Sequence, residues 1–210
     1  MPACVINIGG ISNIAYWDGV NLVGFDVGPG NALMDKFVRL KTGNFYDNSG
    51  HLASKGKIIL KSLNQFLKDP FFKKQYPKSL DKNYFNKYLN DLMLNNFCTE
   101  DIMTTLSNFT SKAILNSFKL LPKKPRTFIL MGGGYKNKFL KSNLEKTIGK
   151  KFLNEKDLNL SFDFVESELM AFLAGRKLYD LPITFPTTTG VNKPSTGGEL
   201  YFPNLNSNSL

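Results

Sequence analysis

Histidine occurs once in the 210 residues, as His51, and cysteine twice, as Cys4 and Cys98. One imidazole cannot build a histidine-based zinc centre, and two cysteines without paired spacing offer neither a metal site nor a redox dithiol. No protein-ligated metal is expected, and both thiols are expected to be reduced and buried. Apolar runs are short too, falling well below the ~20 residues a membrane helix requires. Met1-Pro2-Ala3 leads straight into the strand-like Val5-Ile6-Asn7-Ile8, without the charged and apolar segments of a secretion signal, so a cytoplasmic location with no membrane partner is expected. Acidic residues are scarce, with 17 Asp and Glu against 27 Lys and Arg and a net charge of +10. Such an excess raises nucleic acid, a membrane surface or an anionic ligand as partners. The lysines, however, stand in ones and twos (Lys73-Lys74, Lys123-Lys124, Lys150-Lys151), the pattern of a solvated surface, and no nucleic-acid partner is expected.

What is present is apolar residue enough, 42%, to pack the core of one large domain or two small ones. The stretch Gly24-Phe25-Asp26-Val27-Gly28-Pro29-Gly30-Asn31 organises the reading. An apolar run supported by Val20, Leu22 and Val23 ends in a single acid, and Gly28, Pro29 and Gly30 then reverse the chain without side chains that would block a ligand. Asp26 is therefore a candidate reactive carboxylate. The competing account is that it caps the helix beginning near Asn31.

Around that stretch the pattern is α/β. Cys4 to Ile8, Ile14 to Trp17 and Val20 to Asp26 read as β-strands, and Asp18-Gly19 between the second and third predicts an antiparallel hairpin. Asn7-Ile8-Gly9-Gly10-Ile11-Ser12-Asn13 joins the first two with glycines, a hydroxyl and amides, a composition able to hold a phosphate and equally able to form a plain turn. Leu33, Met34, Phe37, Val38 and Leu40 predict a helix from Asn31 to Thr42, its N-terminus aimed at the Gly28 turn and favourable to anions.

Residues 43–98 read as a mostly helical insertion, with a helix from about Ala53 to Leu67 and aromatics whose default role is core packing. Pro77-Lys78-Ser79 through Asn86 reads as an irregular, ligand-accessible segment. Thr99 is the cap candidate for a helix carrying Ile102, Leu106, Phe109 and Ala113. Thr127 to Met131 reads as a buried strand, followed by Gly132-Gly133-Gly134 and, after Asn137, another helix, a second place where a nucleotide could approach the backbone. Leu160 to Phe164 is expected as a last strand, and Ser167 as the cap of a helix with Glu166 and Glu168 in its first turn. From 186 to 210 a loop and disordered tail are expected.

Taken in order, Asn7 to Asn13, Gly24 to Asn31, Pro77-Lys78-Ser79 with Tyr84-Phe85-Asn86, Gly132-Gly133-Gly134 with Asn137, and Glu168 resemble the motifs of the anhydro-N-acetylmuramic acid kinase family, within the actin, hexokinase and heat-shock ATPase superfamily. The resemblance implies an actin-like ATPase (ribonuclease H-like) subdomain, with a mixed sheet of three antiparallel strands followed by alternating strands and helices and a helical insertion. It implies ATP with Mg2+, and hydrolytic opening of 1,6-anhydro-N-acetylmuramic acid coupled to O6 phosphorylation, a step of peptidoglycan recycling. Asp26 would be the general base, Gly9, Gly10 and Asn13 the second phosphate loop, Gly132, Gly133, Gly134 and Asn137 the adenosine-side loop. Glu168 and Asn31 would touch the sugar.

Two departures accompany the resemblance. Nothing here matches the family's N-terminal half with its first phosphate loop, so residues 1–185 read as a C-terminal lobe. Leu80-Asp81 also stands where the family usually has Thr-Gly. Two functions stay open: a kinase active only with its other half, and a non-catalytic sugar- or nucleotide-binding module. Expected partners are the anhydro amino sugar, with a homodimer and a separate N-terminal lobe both left open.

Overall fold

The computed structural model describes residues 2–201. Its centre is a four-stranded sheet in the order β3-β2-β1-β4, formed by β1 (Ala3–Ile8), β2 (Ile11–Trp17), β3 (Leu22–Pro29) and β4 (Thr127–Met131). The first three strands run antiparallel, and β4 lies parallel to β1. This is the mixed sheet, three antiparallel strands and then a parallel one, that the family resemblance implied. One face carries Cys4, Ile6, Ile8, Ile14, Tyr16, Val23, Phe25, Phe128 and Leu130 into the core.

Asp18 makes the β2–β3 hairpin. Its carboxylate accepts from the backbone N–H groups of Val20 (3.1 Å) and Asn21 (2.8 Å), fixing a turn that includes Val20. Val20 is 80% exposed, so it belongs to this turn and not to the strand. At the other end of the hairpin the pairing shifts between Ser12 and Asn13: Ser12 faces Gly28, whereas Asn13 faces Asp26. Val27 is thus an extra residue, a bulge that re-aims the chain immediately after Asp26.

Helices cover the apolar face. α1 (Ala32–Thr42) buries Leu33, Met34, Phe37 and Val38 and ends at Gly43 in the left-handed conformation, φ 76°. α4 (Thr99–Ser117) runs through the middle of the molecule and is buried on almost every side, including Thr104, Thr105, Asn108, Thr110 and Ser111. These polar side chains are tolerated because each bonds to a backbone carbonyl, Thr110 to that of Gly30 at 3.0 Å. Thr99 opens α4 without a side-chain cap. Gly28 lets α4 approach β3, since a Cβ there would lie 2.5 Å from the Ala113 Cβ.

Between α1 and α4 the chain is a set of short helical pieces with α2 (Leu60–Phe66) and α3 (Asn86–Leu94). The expected start of α2 at Ala53 is not found, because Gly56 passes so close to the Glu100 backbone that residues 51–56 stay in turns. Phe66, Phe71, Phe72, Phe85, Tyr88 and Phe109 stack against one another, the core role anticipated for these aromatics. Asp69 is their polar anchor. Its fully buried carboxylate accepts from Phe71 N (2.9 Å), Tyr84 (2.9 Å) and Tyr88 (2.6 Å), and pairs with Lys87 (2.8 Å).

After β4 come α5 (Lys138–Ile148), α6 (Glu155–Leu158), α7 (Val165–Leu178) and α8 (Pro186–Thr189). No strand forms at 160–164. A capping box at Asn154 and Asp157 starts α6, and Phe162 N donates to the Glu155 carboxylate at 2.6 Å, so the backbone there is satisfied locally. Leu153 instead bridges in parallel to Ile129 beside β4. α7 begins at Val165, without the Ser167 cap. The tail also differs from expectation: α8 packs on β3, with Thr188 against Gly24 and the Thr187 hydroxyl bonded to the Leu22 carbonyl. Residues 202–210 of the expected disordered tail lie outside the described residues. Among the described residues no helix is long and apolar enough to cross a membrane.

Candidate functional site

Strand register assembles the first part of the site. Asn7 on β1 pairs with Asn13 on β2, and Asn13 pairs with Asp26 on β3. Directly paired residues share a sheet face, so Asn7, Asn13 and Asp26 form one polar row on the face opposite the core. All three are half-buried. The row ends near the Gly9-Gly10 turn on one side and the Gly132 turn on the other, with Asn7 also paired to Met131 of β4.

Asp26 is not a helix cap. Its N–H donates to the Lys78 carbonyl at 3.0 Å, and its Oδ2 accepts from Leu80 N at 2.7 Å. The segment after Pro77 therefore clamps the acid in place and leaves Oδ1 without a hydrogen bond among the described residues. Burial raises the carboxyl above the ordinary carboxylate range, with the Leu80 N–H opposing it. Lys78 supports the clamp from beneath: its ammonium bonds the Phe71 carbonyl at 3.2 Å and lies 4.5 Å from the centre of the Phe71 ring. Burial, with Lys74 nearby, lowers this lysine to about 8.

The glycines serve close backbone approach. Gly30 N and Asn31 N donate to the carbonyls of Gly10 and Gly9 at 3.1 and 2.8 Å, and Ala32 N reaches Gly10 O at 3.3 Å. The Gly9-Gly10 turn thus holds the entry to α1 and takes its first N–H, that of Ala32. A Cβ on Gly30 would sit 2.1 Å from the Gly9 oxygen. Gly132 adopts φ 74° beside Asn7, and Gly134 packs on Ile8. Gly133 is exposed and adjoins the Asn31 amide, which itself bonds the Ile8 carbonyl at 3.4 Å.

Asn31, Gly133 and Asn137 line one cleft of about 410 Å³, together with Met34, Asp35, Tyr46, Asp47, Asn48, Ser49 and Lys136. Asn137 spends its carbonyl oxygen on capping α5 at Leu140 N (3.0 Å), and Asp47 spends its carboxylate on Leu52 N and Ala53 N. Asp35 is the acid left over. Burial lifts it to about 6, and Arg39 only partly opposes the shift.

Of the residues singled out in the sequence, the structure places Gly9, Gly10, Asn13, Asp26, Asn31, Gly132, Gly133 and Gly134 at one end of the sheet, and Asn137 on the cleft that Asn31 and Gly133 also line. Glu168 is not joined to them: it is exposed on α7 and does not line the cleft. Asp35 and Lys136 were missed as site components, whereas Asn7 and the Lys78 segment were singled out only as parts of motifs, without the clamp that Lys78 and Leu80 place on Asp26. Strand parity could have aligned Asn7 with Asn13 and Asp26, whereas Asp35 looks like any first-turn helix acid. Among the described residues no group of three or more His, Cys, Asp and Glu gathers as for a metal.

The anhydro-N-acetylmuramic acid kinase family model matches residues 2–203. Curated relatives of that description include those of Rhodopseudomonas palustris, 42% identical over 96% of this chain and 54% of the relative, and Nitrobacter winogradskyi, 40% identical over 96% and 55%. The Brucella anthropi relative is 39% identical over 93% of this chain and 52% of its own length. Among solved structures, the activator of 2-hydroxyisocaproyl-CoA dehydratase from Clostridium difficile with bound ADPNP is similar at a TM-score of 0.44 and 15% identity, covering 72% of this chain and 53% of that one. The chain spans about half the length of the curated relatives it matches. With the family model and these relatives agreeing over nearly every residue, the chain belongs to the anhydro-N-acetylmuramic acid kinase family.

Proposed function

We propose that the chain is the sugar-handling and adenosine-side lobe of an ATP-dependent anhydro-N-acetylmuramic acid kinase, acting in the cytoplasm on a peptidoglycan-derived anhydro sugar. The observation that carries this is Asp26: a half-buried carboxylate clamped through one oxygen by Leu80 N at 2.7 Å, with the other oxygen open for a proton.

In this reading Asp26 Oδ1 takes a proton from a water as its oxygen attacks the anomeric carbon. The bond from that carbon to O6 breaks, and the freed O6 attacks the γ-phosphorus of ATP while the bond to the β–γ bridging oxygen breaks and ADP leaves with that electron pair. Burial strengthens the base by raising its pKa, which suits general-base work near neutral pH. Asn13 and Asn7, beside Asp26 in the polar row, present amides to the substrate or to phosphate oxygens.

The nucleotide fits the cleft beside Gly133, whose missing side chain leaves the floor open, with Lys136 at the rim to meet negative charge. Magnesium would rest mainly on phosphate oxygens and water, its usual arrangement at phosphoryl-transfer sites, because no carboxylate cage gathers among the described residues. Glu168 reaches the sugar in this proposal only when α7 is held by further protein, since α7 carries no packing of its own that directs it there.

The test joins the chain to the remaining half of a curated relative and follows phosphorylation of the anhydro sugar. Asp26→Asn is expected to lower kcat by roughly 10² to 10⁴ while nucleotide affinity stays within about twofold. Undiminished activity would remove Asp26 from the base role. The chain alone is expected to show no turnover, and measurable turnover would end the proposal that a second half is required.

A further inference from the structure

Lys123-Lys124 and Lys150-Lys151, separate in the sequence, meet in the fold. β4 begins just after the first pair, and the second follows the end of α5. The Lys150 ammonium donates to the Arg126 carbonyl at 2.9 Å. The backbone there is pinned in turn, with Arg126 N and Thr127 N donating to the Pro2 carbonyl at 2.9 and 3.2 Å. Lys123, Lys124, Arg126 and Lys150 thereby line one hollow of about 690 Å³.

The acids nearby are already engaged. Asp18, the carboxylate on the hollow, has no exposed side-chain surface; it accepts from Val20 N, Asn21 and Tyr16, with Lys123 3.5 Å away. Glu145 is bonded to Lys151 at 2.9 Å and to Phe152 N at 3.1 Å. Among the described residues Lys124, Arg126 and Lys150 are in no ion pair, and the exposed Arg126 guanidinium donates to nothing. Like charges gathered in this way repel one another, and folding gains nothing from the arrangement. A bound anion removes that repulsion. The guanidinium fork can take two phosphate oxygens at once, with the ammonium groups beside it as point charges. The rest of the lining is Pro2 and Pro125, with no aromatic ring to stack a base and no apolar wall for an acyl chain.

The hollow stands apart from the kinase site. β1 and β4 are parallel; their C-terminal ends lead into the Gly9-Gly10 and Gly132 turns, and their N-terminal ends, Ala3 and Thr127, meet the hollow. The length of β1 puts roughly 17 Å between the two ends. A second half that completes the phosphate loops is needed at the opposite end of the sheet. We propose that the hollow is a second binding site, taking a soluble small anion that carries two or more phosphate charges. It rests neither on Asp26 nor on the nucleotide cleft.

The experiment treats the full chain with limiting acetic anhydride, with inorganic pyrophosphate or with sodium chloride at matched ionic strength, and reads each lysine by mass spectrometry. With pyrophosphate well above its Kd, acetylation of Lys124 and Lys150 should slow by about fivefold or more, as occupancy dictates, while exposed Lys55 is unchanged. Lys136, at the cleft, is read in the same digest, so anion binding there is told apart. Arg126→Gln should raise the pyrophosphate needed for equal protection at least about tenfold, since a charge-assisted hydrogen bond is lost. Its urea midpoint should stay at the parent value, because the guanidinium holds nothing in the fold.

Unprotected Lys124 and Lys150 at saturating pyrophosphate would overturn the proposal, and so would full protection in Arg126→Gln. In the chain fused to the remaining half of the Rhodopseudomonas palustris kinase the same protection is expected. Lysines that resist acetylation there without any anion would mean that protein fills the hollow, and would overturn it too. Phosphatidylglycerol vesicles or a DNA duplex that protect these lysines at a lower phosphate concentration than pyrophosphate would replace the small anion with an extended surface, and likewise overturn it. Because the readout is lysine protection, loss of the Asp26 mechanism would leave this result standing.

Discussion

Replacing Asp69 by alanine tests how the clamp on Asp26 is supported. Asp69 receives four donors, Phe71 N, Tyr84, Tyr88 and Lys87, on a carboxylate with no exposed surface. Hydrogen bonds to a charged group contribute about 1.5–3 kcal/mol each when measured singly. They do not add here. Lys87 is 53% exposed and regains water, and Tyr84 is partly exposed as well. Phe71 is 1% exposed, so its N–H is left unpaired, and the half-buried Tyr88 loses its strongest acceptor. The expected loss is about 3–5 kcal/mol, the range for breaking a buried pair by removing one partner. For a protein of this size that corresponds to a fall in Tm of roughly 6–20 °C. Urea denaturation followed by circular dichroism at neutral pH measures it, with Asp69→Asn alongside as a milder change. The linkage sign gives a second check. Burial by itself would raise Asp69, but the Lys87, Tyr88, Phe71 and Tyr84 donors outweigh it and hold the carboxyl below its ordinary 3.8. Its stabilisation is therefore present above that value and lost as pH falls through the lowered one, so the parent should converge on the variant in acid. A loss under about 1 kcal/mol, within the range of one ordinary hydrogen bond, would refute the picture of Asp69 as the anchor.

Asp35 should show the opposite sign. Its stabilising contribution is present below 3.8 and lost by about 6, above which an ionised, half-buried carboxylate costs up to about 3 kcal/mol. Asp35→Asn should thus be more stable than the parent at neutral pH, with the gain vanishing on acidification in urea titrations; a pH-independent difference would count against it. Gly30→Ala forces a Cβ to within 2.1 Å of a backbone oxygen, so a loss of at least about 3 kcal/mol is expected, at or beyond the top of ordinary overpacking. Thiol labelling should separate the cysteines. Burial pushes Cys4 up to about 12, so it should react only on unfolding, whereas exposed Cys98 should react in the native state. That exposure corrects the expectation that both thiols are buried.

Much of the fold was legible because its signals are local. Asp18-Gly19 announced a hairpin whose turn Asp18 does build, and Asn137 before Phe139 announced a helix that its side chain does cap. The failures lie where side-chain to backbone hydrogen bonds override the apolar pattern. Residues 160–164 have strand composition, but Glu155 takes the N–H groups of Leu160 and Phe162, on its carbonyl and its carboxylate, so the stretch turns back on α6 and does not join the sheet. The helix opening at Thr99 was expected, but burial of its polar face as well was not, because buried Thr and Ser can bond to the carbonyls of their own helix.

The sequence by itself determined the family, the acid at Asp26 and the glycines that bring backbones together, since these depend on residue type and spacing along the chain. Tertiary structure alone decided which of Asp26's oxygens is held, through Leu80 far along the chain, and that Asn7 and Asn13 stand beside it. It decided as well that Asp35 borders the cleft while Glu168 rides on an uncovered helix. The physical reason is that a carboxylate's environment is made by whatever else folds against it, and those groups come from segments that no local pattern connects.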